Sequence, residues 1–138
     1  PEVQSCGPLR KYPVMYQLSV TTHFCASHQL RGYDGPCARL HGHNFKVEAR
    51  VSGTDLNDIG MLIDFKAVKK LLKEVVGQFD HQLINEIPPF DVFNPTAENM
   101  AKYIYHEVAT QLEPLGIRLD SIAIWETESY GALYSPEE

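Results

Sequence analysis

The sequence predicts an α+β domain: four antiparallel strands in one sheet and two helices on one of its faces, in the order strand, strand, helix, helix, strand, strand. Three observations predict it. Two stretches rich in aromatic and β-branched residues stand near the start with no helical period between them. The middle holds two rows of apolar residues at spacings of three and four. The end of the chain returns to β-branched and apolar runs separated by turn residues. Strands joined without an intervening helix pair as antiparallel hairpins, and the grouped helices then cover one face of the sheet.

Residues 1–11 contain Pro1, Gly7 and Pro8 without periodicity and predict a tail or an arm laid against a neighbour; residues 12–138 form the single domain. The stretch 12–24, YPVMYQLSVTTHF, suits a long strand that leads directly to His28. Residues 31–36, RGYDGP, form a loop that returns His28 toward Cys37. Residues 44–52 alternate, with Phe45, Val47, Ala49 and Val51 on one face and Lys46, Glu48 and Arg50 on the other, which is the clearest strand of the chain. After a turn over 53–60, Phe65, Val68, Leu71, Leu72, Val75, Val76 and Phe79 predict an amphipathic helix ending at Phe79, with Asp64 as its N-cap.

A proline-rich connection over 84–95 leads to a second helix beginning at Thr96. Pro95 cannot continue a preceding helix, Thr96 caps, and Met100, Ile104, Val108 and Leu112 make a row until Pro114 and Gly116 stop it. Residues 119–127 predict a third strand and residues 131–134 a fourth.

Bulk properties narrow the function. A chain of 138 residues has room for one core and none for a separate cofactor domain. A net charge of −6, with no block among the 12 Lys and Arg, argues against a nucleic-acid partner and for a small substrate. No stretch approaches the roughly 20 apolar residues of a membrane span, and no charged-then-apolar signal pattern opens the sequence, so the expectation is a soluble, cytoplasmic protein. Cys6, Cys25 and Cys37 are odd in number and lack C-x-x-C spacing, which predicts reduced thiols. Cys6 and Cys25 read as inert, and His23 and His106 as ordinary surface or core residues.

The chemistry concentrates in Cys37-Ala-Arg-Leu-His-Gly-His-Asn44. On a strand, residues two apart share a face, so His41 and His43 can hold one ion together, with Gly42 keeping the backbone between them uncrowded. His28 makes the set three nitrogens. Such a set with an open fourth position is typical of catalytic zinc, because the open position takes water or a substrate oxygen. Cys37 is then either a fourth ligand closing a structural site or a base standing near the ion, where positive charge favours the thiolate. Asp80-His81 offers a carboxylate that can orient an imidazole, or else a solvated helix end. Glu126, facing away from Trp125 at the end of an apolar run, is an anchor for an amidine-like N–H pair or a surface carboxylate.

Taken together these residues resemble the 6-pyruvoyltetrahydropterin synthase family, from about Tyr16 to Tyr134. The resemblance is carried by Phe24-Cys-Ala-Ser-His28, Cys37-x3-His41-Gly-His43-Asn, Gly60-Met-Leu-Ile-Asp-Phe65, Phe79-Asp-His81, Asn94-Pro-Thr-Ala-Glu98-Asn99 and Trp125-Glu-Thr127. The short spacing from His28 to Cys37, the Leu-Ile-Asp-Phe stretch and Asn-Pro-Thr are similar to the bacterial 6-carboxy-5,6,7,8-tetrahydropterin synthase branch, of queuosine biosynthesis.

The resemblance implies the tunnelling fold, and a trimer whose sheets close into one barrel, stacked in pairs as a hexamer with sites between subunits. It implies Zn2+ held by His28, His41 and His43, Cys37 as general base, and Asp80 with His81 as a second proton-transfer pair. Glu126 would hold the pterin ring, with Glu98 and Thr127 in the same pocket. The implied reaction is a lyase conversion of 7,8-dihydroneopterin triphosphate to 6-carboxytetrahydropterin, acetaldehyde and triphosphate, with zinc polarising the substrate's side-chain hydroxyls. A pyruvoyl product, an aldolase-like cleavage and a non-catalytic structural-zinc pterin module are the competing expectations. Arg31, Arg39 and Lys46 are the nearby basic residues available to the triphosphate. Residues 1–11 have no family counterpart, and Cys25 stands where a small residue is common.

Overall fold

The computed structural model describes residues 15–137, so the expected N-terminal arm, the first residues of the expected first strand and Cys6 lie outside the described residues. The order is β1 (Tyr16–His28), β2 (His41–Gly53), α1 (Phe65–Gly77), α2 (Ala97–Leu112), β3 (Arg118–Trp125) and β4 (Gly131–Tyr134), as the patterning predicts. The four strands form one antiparallel sheet in the order β1-β2-β3-β4.

Period-two patterning decides which face is covered. Phe45, Val47, Ala49 and Val51 of β2 and Ile122 and Ile124 of β3 are fully buried. Against them pack Val68 and Leu72 of α1 and Met100, Ile104, Val108 and Leu112 of α2, also fully buried. The other face carries Ser19, His23, Cys25, Asn44, Lys46 and Arg50, all exposed. Both helices start where the sequence places them. The Asp64 carboxylate accepts from the Lys66 amide at 2.8 Å, and the Thr96 hydroxyl accepts from the Asn99 amide at 3.1 Å, so each satisfies an N–H that the helix leaves without an internal partner.

Several boundaries differ from the expectation for reasons of hydrogen bonding, among them the start of β2, which already pairs with β1 from His41 and not from Asn44. β1 continues through His28, because its pairing with β2 runs unbroken from Tyr16 opposite Gly53 to His28 opposite His41. α1 ends at Gly77 and not at Phe79, since the chain turns there: the Phe79 and Asp80 amides donate to the Val76 and Gly77 carbonyls. β3 ends at Trp125, because the Glu126 and Thr127 amides both turn to the Tyr130 carbonyl. The helical period also gathers Lys66, Lys69, Lys70 and Lys73 along one shallow outer groove of α1, a basic strip that the linear sequence disperses among apolar residues.

Candidate active site

Antiparallel register builds the histidine cluster. His28 is paired directly with His41, while His43 lies two residues further along β2, opposite Ala26 and on the same face as Phe45. Cross-strand partners stand about 5 Å apart. The three rings accordingly meet at the end of the core face, with centroids 4.6, 5.2 and 4.8 Å apart for the pairs 28–41, 28–43 and 41–43. Their nearest nitrogens all lie within 4.8 Å of one another.

Main-chain oxygens orient two of the rings. His28 Nδ1 is 2.8 Å from the Pro95 carbonyl, and His41 Nδ1 is 2.7 Å from the Arg39 carbonyl. A carbonyl oxygen only accepts, so each Nδ1 carries a proton, and in the neutral tautomer this selects the lone pair is on Nε2. His28 Nε2 and His43 Nε2 are buried with no hydrogen-bond partner. A buried acceptor without a partner costs free energy, and one cation among the three rings removes that cost for both atoms at once. The donor set thus fits a metal ion of the kind that imidazole ligates.

Burial lowers the pKa of His28 and of His43 below the ordinary value of 6.5; the Pro95 carbonyl opposes this for His28, and Glu126 opposes it for both. The rings are therefore neutral and ready to ligate near pH 7. The sign for stability follows. Between the ordinary value and the depressed ones, the unfolded chain binds more protons than the folded chain, so stability is lost as pH falls. The metal-free protein is expected to melt at progressively lower temperature as pH drops below 6.5, with a shallower slope in His43→Ala. Thermal unfolding in chelator across that range checks it, and equal slopes in the two proteins would contradict it.

Glu126 stands at the rim of the cluster. Its carboxylate lies 3.8 Å from His28 Nε2 and 3.8 Å from His43 Nε2, beyond hydrogen-bond reach, and its side chain is only 24% exposed. It lines an open cleft of about 800 Å³ together with His23, Gly42, His43, Lys46, Trp125 and Thr127. The flat wall of this cleft comes from Trp125, whose indole lies over Gly131; a Cβ there would come within 2.5 Å of the ring. Thr127 lines the cleft too, but its hydroxyl oxygen accepts from the Ser129 and Tyr130 amides and shapes the turn.

Asp80 and His81 dock on the edge of β1. Asp80 Oδ1 accepts from the Cys25 amide at 2.9 Å, and the His81 amide donates to the Cys25 carbonyl at 2.5 Å. The clasp holds His81 at φ 60, uncommon for a residue with a side chain. Its Nδ1 then lies 3.1 Å from Asp80 Oδ1. The Cys25 amide, helped by His81, holds the Asp80 carboxyl below its ordinary value of 3.8 against a smaller effect of desolvation. His81 is 78% exposed and lines a second cleft with Cys25, Gly42 and His43. The two clefts share Gly42 and His43, where a Cβ on residue 42 would stand 3.3 Å from the Ala26 carbonyl.

Cys37 is half-buried on a 3₁₀ turn (Pro36–Ala38), and its thiol is free. Among the described residues the cluster of candidate ligand atoms comprises the three imidazoles without it. Glu98 is exposed on the first turn of α2 and lines neither cleft. Of the basic residues named for a triphosphate, Lys46 lines the larger cleft, while the Arg31 guanidinium is turned to the Phe90 carbonyl. Sequence reasoning missed the carbonyls of Arg39 and Pro95, the clasp at Cys25, and His23 as a cleft residue. Main-chain contacts carry no residue-type signal, although His23 could have been found from its even spacing with Cys25 along β1.

Residues 17–137 match the family model described as 6-pyruvoyl tetrahydropterin synthase. The chain is 36% identical over 111 residues to a putative 6-carboxy-5,6,7,8-tetrahydropterin synthase of Archaeoglobus fulgidus, covering 80% of this chain and 88% of that protein. It is 33% identical over 138 residues to the 6-carboxy-5,6,7,8-tetrahydropterin synthase of Bacillus subtilis, covering 95% and 92%. In fold it is similar to the solved 6-pyruvoyl tetrahydropterin synthase of Caenorhabditis elegans, with a TM-score of 0.80, 22% identity, and coverage of 91% of this chain and 98% of that one.

Proposed function

The chain belongs to the 6-pyruvoyl tetrahydropterin synthase family, whose tunnelling fold it adopts, and on that premise we propose that it is a zinc-dependent lyase. Its substrates are 7,8-dihydroneopterin triphosphate and one water, and its products are 6-carboxy-5,6,7,8-tetrahydropterin, acetaldehyde and triphosphate, a step of queuosine biosynthesis. The observation that carries this is the triad of imidazoles at the sheet's end, two of them with buried, unpartnered Nε2 atoms, beside the Glu126 carboxylate.

His28, His41 and His43 would hold Zn2+, which when bound supplies Lewis acidity toward the hydroxyls of the pterin side chain. Glu126 accepts two N–H bonds from the ring's amidine-like edge, a bidentate arrangement that fixes its orientation. Cys37 takes and returns the proton at the side-chain carbons. In the second pair, His81 donates its Nδ1 proton to the ionised Asp80, which leaves Nε2 to exchange protons with substrate. Thr127 borders the same pocket; Glu98, away from both clefts of its own chain, would reach a ring only across a subunit contact.

Assembly would provide such a contact. The sheet ends in two edges, β1 and β4, and pairing them between copies would close the sheets of a trimer into a barrel, with two trimers stacking into a hexamer. Light scattering should return a trimer or hexamer of the 15.6 kDa protomer, and a monomer would remove this part of the proposal. No helix among the described residues is long and apolar enough to cross a membrane. We place the activity in the cytoplasm, where free thiols persist.

Mass analysis of products formed from dihydroneopterin triphosphate tests the function. The expected result is one equivalent of acetaldehyde per carboxytetrahydropterin. A pyruvoyl product or glycolaldehyde-type cleavage without acetaldehyde would overturn the assignment in favour of the related reactions of the same groups.

A further inference from the structure

Just beyond the end of β1 the chain is hydrogen-bonded on both edges. The Gln29 amide donates to Asn85 Oδ1 at 2.9 Å, and its carbonyl accepts from Asn85 Nδ2 at 2.8 Å. Two residues on, the Arg31 amide donates to Asn94 Oδ1 at 2.8 Å, and its carbonyl accepts from Asn94 Nδ2 at 2.9 Å. Each side-chain amide meets the backbone as a neighbouring strand would, with donor and acceptor together. The residue between them faces the other way: the Leu30 amide donates to the Cys37 carbonyl at 3.1 Å. Successive residues of an extended chain present their polar groups to opposite edges, so two asparagines secure one edge while the Cys37 turn is attached to the other.

The anchors are themselves rigid. Asn85 sits in a 3₁₀ turn (Ile84–Glu86) whose Ile84 is fully buried. The Asn94 carbonyl accepts from the Thr96 amide at 2.8 Å and from Asn99 Nδ2 at 2.9 Å, which ties it to the start of α2. Its neighbour Pro95 supplies the carbonyl that orients His28. One short segment thus references both a metal-ligand ring and the Cys37 turn to the same helix end.

We infer that Asn85 and Asn94 are positioning residues for Cys37, setting where its turn stands relative to the histidine triad. The inference rests on Cys37 acting as the base of the proposed reaction. No other pair of neutral side chains except Gln offers this donor and acceptor pairing, and alanine leaves four main-chain groups to water. A base displaced by about 1 Å costs on the order of a hundredfold in rate.

The test is a double-mutant cycle. Asn85→Ala and Asn94→Ala are expected to lower kcat by about a hundredfold with KM and bound zinc unchanged, and to have no further effect in a Cys37→Ala background. Equal losses in both backgrounds, or an unchanged kcat, overturn the inference. Should Asn94→Ala fail to fold, Asn85→Ala decides alone. If the wild-type protein does not turn over the pterin, or Cys37→Ala is fully active, it is the functional proposal that fails. Amide exchange at Leu30 then decides the clamp separately: faster exchange in Asn85→Ala is expected, and unaltered protection overturns it.

Discussion

His28→Ala is expected to strip the metal and abolish turnover while destabilising the metal-free protein less than the zinc-loaded one. The residue is 1% exposed, so truncation opens a cavity and leaves the Pro95 carbonyl without its donor, but it also removes a buried Nε2 that has no partner without an ion. The last effect offsets part of the first two in the metal-free state. In the loaded state nothing compensates for the lost ligand. Removing only the group that orients a ligand weakens metal binding about 10- to 100-fold, so removing the ligand itself should exceed that. The measurable consequence is loss of the zinc-induced rise in melting temperature, which reflects a stabilisation of about 2.7 kcal/mol when free zinc is held at a hundred times its dissociation constant. A variant that still gains stability on zinc addition would remove His28 from the ligand set. His41→Ala should behave in the same way but with a smaller cavity cost, because His41 is only half-buried.

Cys37→Ala separates base from ligand. As the base, its loss should lower kcat by about 10²- to 10⁴-fold, the usual contribution of general acid–base catalysis, with one zinc per chain retained. As a fourth ligand, its loss should reduce metal content and melting temperature together. The three-imidazole cluster excludes its thiol, which favours the first outcome. Metal analysis and steady-state kinetics on the same preparation suffice, and a metal-depleted, unstable variant would restore the closed structural site.

Much of the architecture was legible because it rests on local rules. Alternation at Phe45, Val47, Ala49 and Val51, the four-residue row from Met100 to Leu112, and the caps Asp64 and Thr96 each follow from neighbours within a few positions. The His-x-His pair was legible for the same reason, since spacing by two places both rings on one face of any strand. Element ends were less legible. Where α1 and β3 stop depends on the Val76 and Gly77 carbonyls, which capture the Phe79 and Asp80 amides, and the Tyr130 carbonyl, which captures the Glu126 amide.

The sequence by itself determined the fold class, the face of the sheet that carries the core, and the identity of the three imidazoles, because periodicity and residue chemistry are properties of a short stretch. Only the tertiary structure decided that His28 stands directly opposite His41, that the carbonyls of Pro95 and Arg39 take the Nδ1 atoms of His28 and His41, and that Glu126 stands at the rim. It likewise decided that Asp80 and His81 are held by Cys25, and that two asparagines distant in sequence hold the strand-like stretch from which the Cys37 turn is suspended. For Pro95, Cys25 and the two asparagines the physical reason is the same. These contacts join a main-chain group to a residue 55 to 67 positions away, and a main-chain amide or carbonyl is the same at nearly every residue, so only its place in space shows which partner it takes.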